Sequence, residues 1–213
     1  DYPRKIAQAL LEDRIDIGLV PVAIIPQLAE YYIDAEYCIA SDGAVASVCL
    51  FSQVPVEEIT TVLLDYQSRT SVLLVQYLLK KYWKTNPVFE NAGTDFISEI
   101  KGTTAAVVIG DRALQQRKVS PYIYDLGLAW KQHTGLPFVF AAWVSNKVLP
   151  QYFCDAFNEA TGMGLDHIYE IVAKNPFPAF DLREYYKNCI KFRIDLRMHE
   201  ALTLFLSKLN NAL

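Results

Sequence analysis

The sequence has no long uncharged hydrophobic run and little glycine, proline, cysteine or histidine. Its 213 residues include 9 Gly, 10 Pro, 4 Cys and 3 His. The longest apolar stretches, residues 19–28 and 135–145, are shorter than the ~18–20 residues of a membrane-spanning helix, so we expect a soluble protein without a membrane partner. A hydrophobic content of 52% excludes extended disorder and predicts a sizeable core.

Metal ligands, disulfides and nucleic-acid contacts also lack their usual patterns. The histidines show no H-x-x-x-H spacing, so we expect no metal site and no metal cofactor. A net charge of −4 without a run of Lys or Arg argues against a nucleic-acid partner. The cysteines have no C-x-x-C spacing, which indicates reduced core residues in a cytoplasmic protein, with one disulfide as the alternative. These are Cys38, Cys49, Cys154 and Cys189.

Short buried strands alternate with helices, and this order indicates an α/β fold with a parallel sheet. Helices are expected at residues 3–11, 71–83 and 112–116, strands at 15–20, 61–64, 105–109 and within 137–144, and only helices after Asn146. Uncharged extended segments at residues 47–52 and 137–144 flank a central unit and resemble the two crossovers of a hinge. We therefore predict two lobes, with residues 1–53 and 138–213 in lobe 1 and residues 54–137 inserted as lobe 2. A ligand would bind in the cleft at the strand ends.

The polar loop at residues 65–71 joins a buried strand to the amino end of a long helix. Ser68, Thr70 and Ser71 are good N-cap residues, and Arg69 adds a positive charge beside the free N–H groups of the first turn. This combination suits a carboxylate or a phosphate. The alternative is an ordinary helix cap with a solvated arginine.

Two further loops present polar groups at strand ends. Ser41, Gly43 and Ser47 offer hydroxyls and backbone groups, with a simple bend as the alternative. Gly110 and Asp111 follow a buried strand, where Asp111 is equally well explained as the N-cap of the next helix.

Other positions favour structural roles. A turn or cap is the favoured role of the pair Tyr124-Asp125, and packing is the favoured role of Trp130 and Trp143. The chain contains no G-x-S-x-G, P-loop or G-x-G-x-x-G motif, so hydrolase and nucleotide-binding functions lose their usual support. The residues alone indicate a two-lobed, cofactor-free binder of a small anion.

Several ordered motifs resemble those of the menaquinone-biosynthesis chorismate dehydratases of the futalosine pathway. They are DIGLVPV at 16–22, SDGAVASV at 41–48, SRTSV at 68–72, YDLG at 124–127 and TGLPFVFA at 134–141. The similarity covers nearly the whole chain. It implies a two-lobed, type II periplasmic-binding-protein-like fold with a central cleft, used as a cofactor-free carbon–oxygen lyase. That activity converts chorismate to 3-[(1-carboxyvinyl)oxy]benzoate and water.

Taken together with the resemblance, the three polar loops described above give the expected substrate-binding residues: Ser41, Gly43, Ser47, Ser68, Arg69, Thr70, Ser71, Gly110 and Asp111. Arg69 and its loop would hold one carboxylate of chorismate, and the loop with Ser41 and Ser47 would hold the other or the departing hydroxyl. Relatives carry an asparagine in a Ser-Tyr-x-Asn-Thr-x-Pro segment that would precede Asp1, so the catalytic residue is left unassigned. A substrate carboxylate is then the expected base.

Two other functions are compatible with the fold that the resemblance implies. One is the sister enzyme of the pathway, 1,4-dihydroxy-6-naphthoate synthase, and the other is a solute-binding protein that captures a small carboxylate without turnover. The apolar tail at residues 185–209 packs on its own lobe or on a partner, and the second case would give a homodimer.

Overall fold

The computed structural model describes residues 3–65 and 68–210, which form two β-sheets with helices packed around them. The strands are β1 (Ile17–Pro21), β2 (Tyr37–Ser41), β3 (Val48–Ser52), β4 (Thr61–Leu64), β5 (Val88–Asn91), β6 (Thr104–Ile109), β7 (Tyr122–Asp125), β8 (Phe138–Ser145) and β9 (Lys191–Arg193). The α-helices are α1 (Pro3–Leu11), α2 (Thr70–Leu78), α3 (Asp111–Gln116), α4 (Leu126–Thr134), α5 (Gln151–Asp166), α6 (Ile168–Lys174), α7 (Leu182–Glu184) and α8 (Leu196–Asn210). A 3-10 helix at Val22–Gln27 follows β1, and π-helical turns follow α2 and α7.

The first sheet has the strand order β1-β8-β2-β9 and is antiparallel throughout the described residues. The prediction of a parallel sheet is wrong here, because β8 returns from the second sheet and runs opposite to both of its neighbours. Helix α1 packs closely on β1 because Gly18 has no side chain: a Cβ there would lie 2.6 Å from Cγ2 of Ile6.

The second sheet has the order β5-β4-β6-β3-β7. Strand β4 is parallel to β5 and β6, as the alternating pattern predicted, whereas β3 is antiparallel to β6 and β7. Residues 48–52 were predicted to belong to lobe 1, yet they form a fully buried strand inside this sheet. The strand pairing therefore places these residues in the same sheet as β4, β5, β6 and β7. The proposed lobe boundaries stay predictions.

The core between the sheets contains an aromatic cluster around Trp130. This side chain is fully buried and makes edge contacts with Phe138 and Phe205, at ring-centroid distances of 5.2 and 5.9 Å. The packing role predicted for Trp130 is confirmed. Phe205 belongs to α8, so the apolar face of the C-terminal tail packs on its own chain, and a homodimer stays a prediction.

The four cysteines are free thiols; three are buried and Cys189 is half-buried. Burial raises the pKa of Cys38 to about 12. No helix in the two described ranges is long and apolar enough to cross a membrane. The same residues contain no cluster of three or more His, Cys, Asp or Glu side chains arranged to hold a metal ion.

Candidate functional site

The topology of the second sheet brings the predicted polar loops to one edge. Strands β4 and β6 are parallel, so Asp65 and Gly110 follow them at the same end of the sheet. Strand β3 starts at that end, where the Gly110 N–H donates to the Ser47 carbonyl oxygen at 2.8 Å. Strand β7 ends there too, with Asp125 opposite Cys49. The carboxyl edge of the parallel strands is the usual ligand-binding edge of such sheets.

A cavity of about 600 Å³ opens beside this edge. It is lined by Arg4, Ala23, Gln27, Leu64, Asp65, Ser68, Arg69, Val72, Leu73 and Asn91. Arg4 belongs to α1 and Ala23 to the 3-10 helix after β1, both beside the first sheet, whereas Arg69 lies between β4 and α2. The cavity therefore lies between the two sheets, and its volume falls within the ~300–1,000 Å³ typical of small-molecule sites.

The amino end of α2 forms one wall of this cavity. The Ser68 hydroxyl oxygen accepts a hydrogen bond from the Ser71 N–H at 3.1 Å, which confirms Ser68 as a helix cap. Thr70 is buried, and its hydroxyl oxygen accepts from the Ala23 N–H at 3.3 Å, which ties α2 to the opposite wall. Of the four residues predicted in this loop, Ser68 and Arg69 line the cavity, and Thr70 and Ser71 are buried beneath it. Tyr66 and Gln67 lie outside the described residues.

Arg69 lines the cavity, and its guanidinium has no ion pair or hydrogen bond among residues 3–65 and 68–210. The nearby acidic residue, Asp65, is completely buried and pairs instead with Arg112, whose Nη2 lies 2.6 Å from Oδ2. The Arg112 guanidinium also lies over the Phe96 ring, 5.5 Å from its centroid. The sequence analysis missed the pair of Asp65 and Arg112. Its signal was an acidic and a basic residue placed just after two parallel strands.

The hydroxyls of the loop at residues 41–47 bind within the protein. Ser41 is buried and donates to the Gly43 carbonyl oxygen at 3.1 Å. The Ser47 hydroxyl lies 2.8 Å from the phenol oxygen of Tyr185. Burial raises the pKa of Tyr185 to about 12 even though the Ser47 hydroxyl lowers it. The structure thus brings this loop to the site edge, while the cavity wall itself comes from other residues.

Asp125 holds the same loop in place. Its buried carboxylate accepts hydrogen bonds from the N–H groups of Ala46 at 2.7 Å, Val45 at 3.1 Å and Leu128 at 3.1 Å. The last of these caps α4, as the sequence predicted for Asp125, and the other two fasten the loop, where Ala46 has a φ of +61°. One carboxylate therefore links the amino end of α4 to a strained turn.

Gly127 brings α4 against the loop. A Cβ at this position would lie 2.5 Å from the Ser41 hydroxyl oxygen and 2.7 Å from the Gly43 carbonyl oxygen. Only glycine allows this approach, which explains the small residue in the Asp125-Leu126-Gly127 segment.

Gly110 and Asp111 lie at the same edge but outside the cavity wall. Gly110 has a φ of +66° and precedes α3, which begins at Asp111. Asp111 was expected to cap this helix through its side chain. That alternative is wrong, because Asp111 is the first residue of the helix, Gly110 occupies the cap position, and the exposed Asp111 carboxylate makes no cap hydrogen bond.

Comparison with known proteins gives two results. A model of the menaquinone biosynthesis family matches residues 1–211. The chorismate dehydratase of Thermus thermophilus is 30% identical over 157 residues, which cover 64% of this chain and 56% of that protein. This chain thus spans little more than half the length of that curated relative.

Solved structures agree on the fold. Protein AF1704 from Archaeoglobus fulgidus superposes with a TM-score of 0.67 at 12% identity, covering 100% of this chain and 85% of that chain. The periplasmic aliphatic sulphonate binding protein SsuA from Escherichia coli superposes with a TM-score of 0.53 at 14% identity, covering 98% of this chain and 78% of that chain. The predicted periplasmic-binding-protein-like α/β fold is confirmed.

Proposed function

Because the chain belongs to the menaquinone biosynthesis family, we propose that it acts as a chorismate dehydratase of the futalosine pathway. The reaction is the loss of water from chorismate to give 3-[(1-carboxyvinyl)oxy]benzoate, a carbon–oxygen lyase reaction. The observation that carries the proposal is the position of Ser68 and Arg69, at the amino end of α2, in the wall of a cavity of about 600 Å³. The relative from Thermus thermophilus supports the substrate class.

Arg69 provides the recognition of a carboxylate. A guanidinium offers two parallel N–H donors to the two oxygens of a carboxylate, and such charge-assisted bonds are about twice as strong as neutral ones. The partial positive charge at the amino end of α2 favours an anion at the same place. Apolar side chains of Leu64, Val72 and Leu73 complete a wall that suits a carbocyclic ring.

The reaction asks little of the protein beyond orientation. A ring C–H bond breaks, its electrons form the new double bond, the ring C–O bond breaks, and the proton and hydroxide leave as water. The product is aromatic, so the enzyme chiefly has to hold the substrate in the geometry of elimination and away from rearrangement.

Asp65 is the one carboxylate among the cavity-lining residues in the described part of the chain. Its carboxylate is already engaged by Arg112, whose Nη2 lies 2.6 Å from Oδ2. This arrangement supports a carboxylate of the substrate as the base.

Calorimetry with chorismate tests the assignment of Arg69. The Arg69→Ala variant should lose at least about tenfold in affinity, since a charge-assisted hydrogen bond contributes about 1.5–3 kcal/mol. Arg183→Ala is the matched control, because Arg183 is exposed and does not line the cavity. Equal affinities for the two variants would contradict the role of Arg69.

We also propose a cytoplasmic location. Cys38, Cys49, Cys154 and Cys189 are all free thiols, and a reducing compartment keeps thiols in this state. Cell fractionation should recover the protein with cytoplasmic markers; recovery in an exported fraction would contradict this placement.

A further inference from the structure

Two arginines from separate elements of the fold line the same cavity, the exposed Arg4 and the half-buried Arg69. Arg4 extends from α1, which packs on the first sheet, and Arg69 follows β4 of the second sheet. Within residues 3–65 and 68–210, neither guanidinium has an ion pair or a hydrogen bond. We propose that Arg4 is a second anion-binding residue and that it holds one carboxylate of a dicarboxylate while Arg69 holds the other.

The charge of the cavity fits a dianion. Its charged lining residues are Arg4, Asp65 and Arg69, and the Asp65 carboxylate is balanced by Arg112 at 2.6 Å. Two positive charges are then left for the ligand. Gln27 and Asn91, the amide side chains of the wall, add hydrogen-bonding groups without adding charge.

The hydroxyls that the sequence suggested for the second carboxylate are engaged elsewhere. Ser41 donates to Gly43, and Ser47 pairs with Tyr185. Neither serine lines the cavity, whereas Arg4 does. A ligand held by Arg4 and Arg69 would bridge α1, which packs on the first sheet, and the loop that follows β4 of the second sheet.

This inference rests on the proposed function for the identity of the dicarboxylate, but its test does not need turnover. The reaction product, 3-[(1-carboxyvinyl)oxy]benzoate, carries two carboxylates, and 3-hydroxybenzoate shares its ring and ring carboxylate but lacks the second one. Titration calorimetry with both compounds would compare the wild-type chain, Arg4→Gln and Arg69→Gln. Arg14→Gln is the control, since Arg14 is an exposed arginine paired with Glu12.

Both cavity variants should lose at least about tenfold in affinity for the product, and the control should stay within about twofold of wild type. One cavity variant should also lose affinity for 3-hydroxybenzoate, and the other should not, because each arginine holds a different carboxylate. Wild-type affinity for the product in Arg4→Gln, or equal losses of both compounds in both variants, would overturn the inference.

The outcomes separate this inference from the proposed function. If the wild-type chain binds chorismate and Arg4→Gln binds the product as wild type does, the inference alone fails. If the wild-type chain binds neither chorismate nor the product, the proposed function fails, and the assignment of Arg4 to a carboxylate of this substrate fails with it.

Discussion

Replacement of Asp125 by asparagine should destabilise the protein more than any comparable change at the site edge. Oδ1 accepts from Val45 and Leu128, and an amide oxygen can keep both bonds. Oδ2 of Asp125 accepts from the Ala46 N–H at 2.7 Å. In the variant an amide nitrogen takes the place of this oxygen, so two hydrogen-bond donors face each other. The lost charge-assisted bond costs about 1.5–3 kcal/mol, and the unpaired buried N–H costs about 1–3 kcal/mol.

We therefore expect Asp125→Asn to lower the free energy of unfolding by at least about 2.5 kcal/mol, which corresponds to a fall in Tm of at least about 5 °C for a chain of this size. Urea denaturation followed by circular dichroism measures the change. Asp42→Asn is the matched control: it alters an acidic residue of the same loop whose side chain is 40% exposed and pairs with Lys131 at the surface. That pair should contribute about 0–1 kcal/mol. A loss below about 1 kcal/mol in Asp125→Asn, or equal losses in both variants, would refute the role of Asp125 as the fastener of the loop.

Two further predictions concern the same edge. Gly127→Ala should lower the free energy of unfolding by about 1–3 kcal/mol, because its Cβ would collide with Ser41 and Gly43. The control is Gly164→Ala in α5, where a Cβ meets nothing within 4 Å and the change should be neutral or stabilising by up to about 1 kcal/mol. Equal thermal stabilities of the two variants would contradict the close approach of α4. Tyr185→Phe should lose about 1 kcal/mol at neutral pH with its hydrogen bond to Ser47. The pKa of tyrosine is about 10 in the unfolded chain, whereas that of Tyr185 is about 12 in the folded protein. The wild-type free energy of unfolding therefore falls as the pH rises from about 10 to about 12, and the difference between wild type and Tyr185→Phe becomes smaller. Urea unfolding at about pH 8 and about pH 11 checks this, and a deficit that does not change would contradict it.

The local hydrophobic pattern of the sequence predicted those helices and strands that are regular and have a buried face. The helix at residues 3–11 and the strand at 61–64 occur as expected, because hydrophobic periodicity specifies each of them within a short window. Strands β5 and β7 were not predicted, and β9 shows that the prediction of only helices after Asn146 was wrong. All three are short, with β5 mostly exposed and β7 and β9 partly buried, so pairing with a neighbour, rather than their own composition, makes them strands.

The local sequence pattern also could not predict which strands pair with each other. Residues 48–52 read as a hinge crossover because they are uncharged and extended, which is equally true of a strand buried on both faces. The direction of β8 follows from the path of the chain between the two sheets, which no window of sequence reveals.

The candidate site was predicted in part for the same reason. Ser68 and Arg69 could be found because a polar, basic loop before a helix is a local signal of anion binding. Arg4, far away in sequence, reaches the same cavity only because α1 packs on β1 beside the 3-10 helix. Conversely, the serines of the loop at 41–47 gave a polar signal, but their hydroxyls are bound to Gly43 and Tyr185.

The most direct test of the proposed activity is incubation of the complete natural protein with chorismate, followed by mass spectrometry and ultraviolet spectroscopy. The proposal predicts an aromatic product that is lighter than chorismate by one water and retains the enolpyruvyl group, formed by wild-type protein and strongly reduced in Arg69→Ala. Tight binding of chorismate without any such product would contradict it and would indicate a solute-binding protein instead.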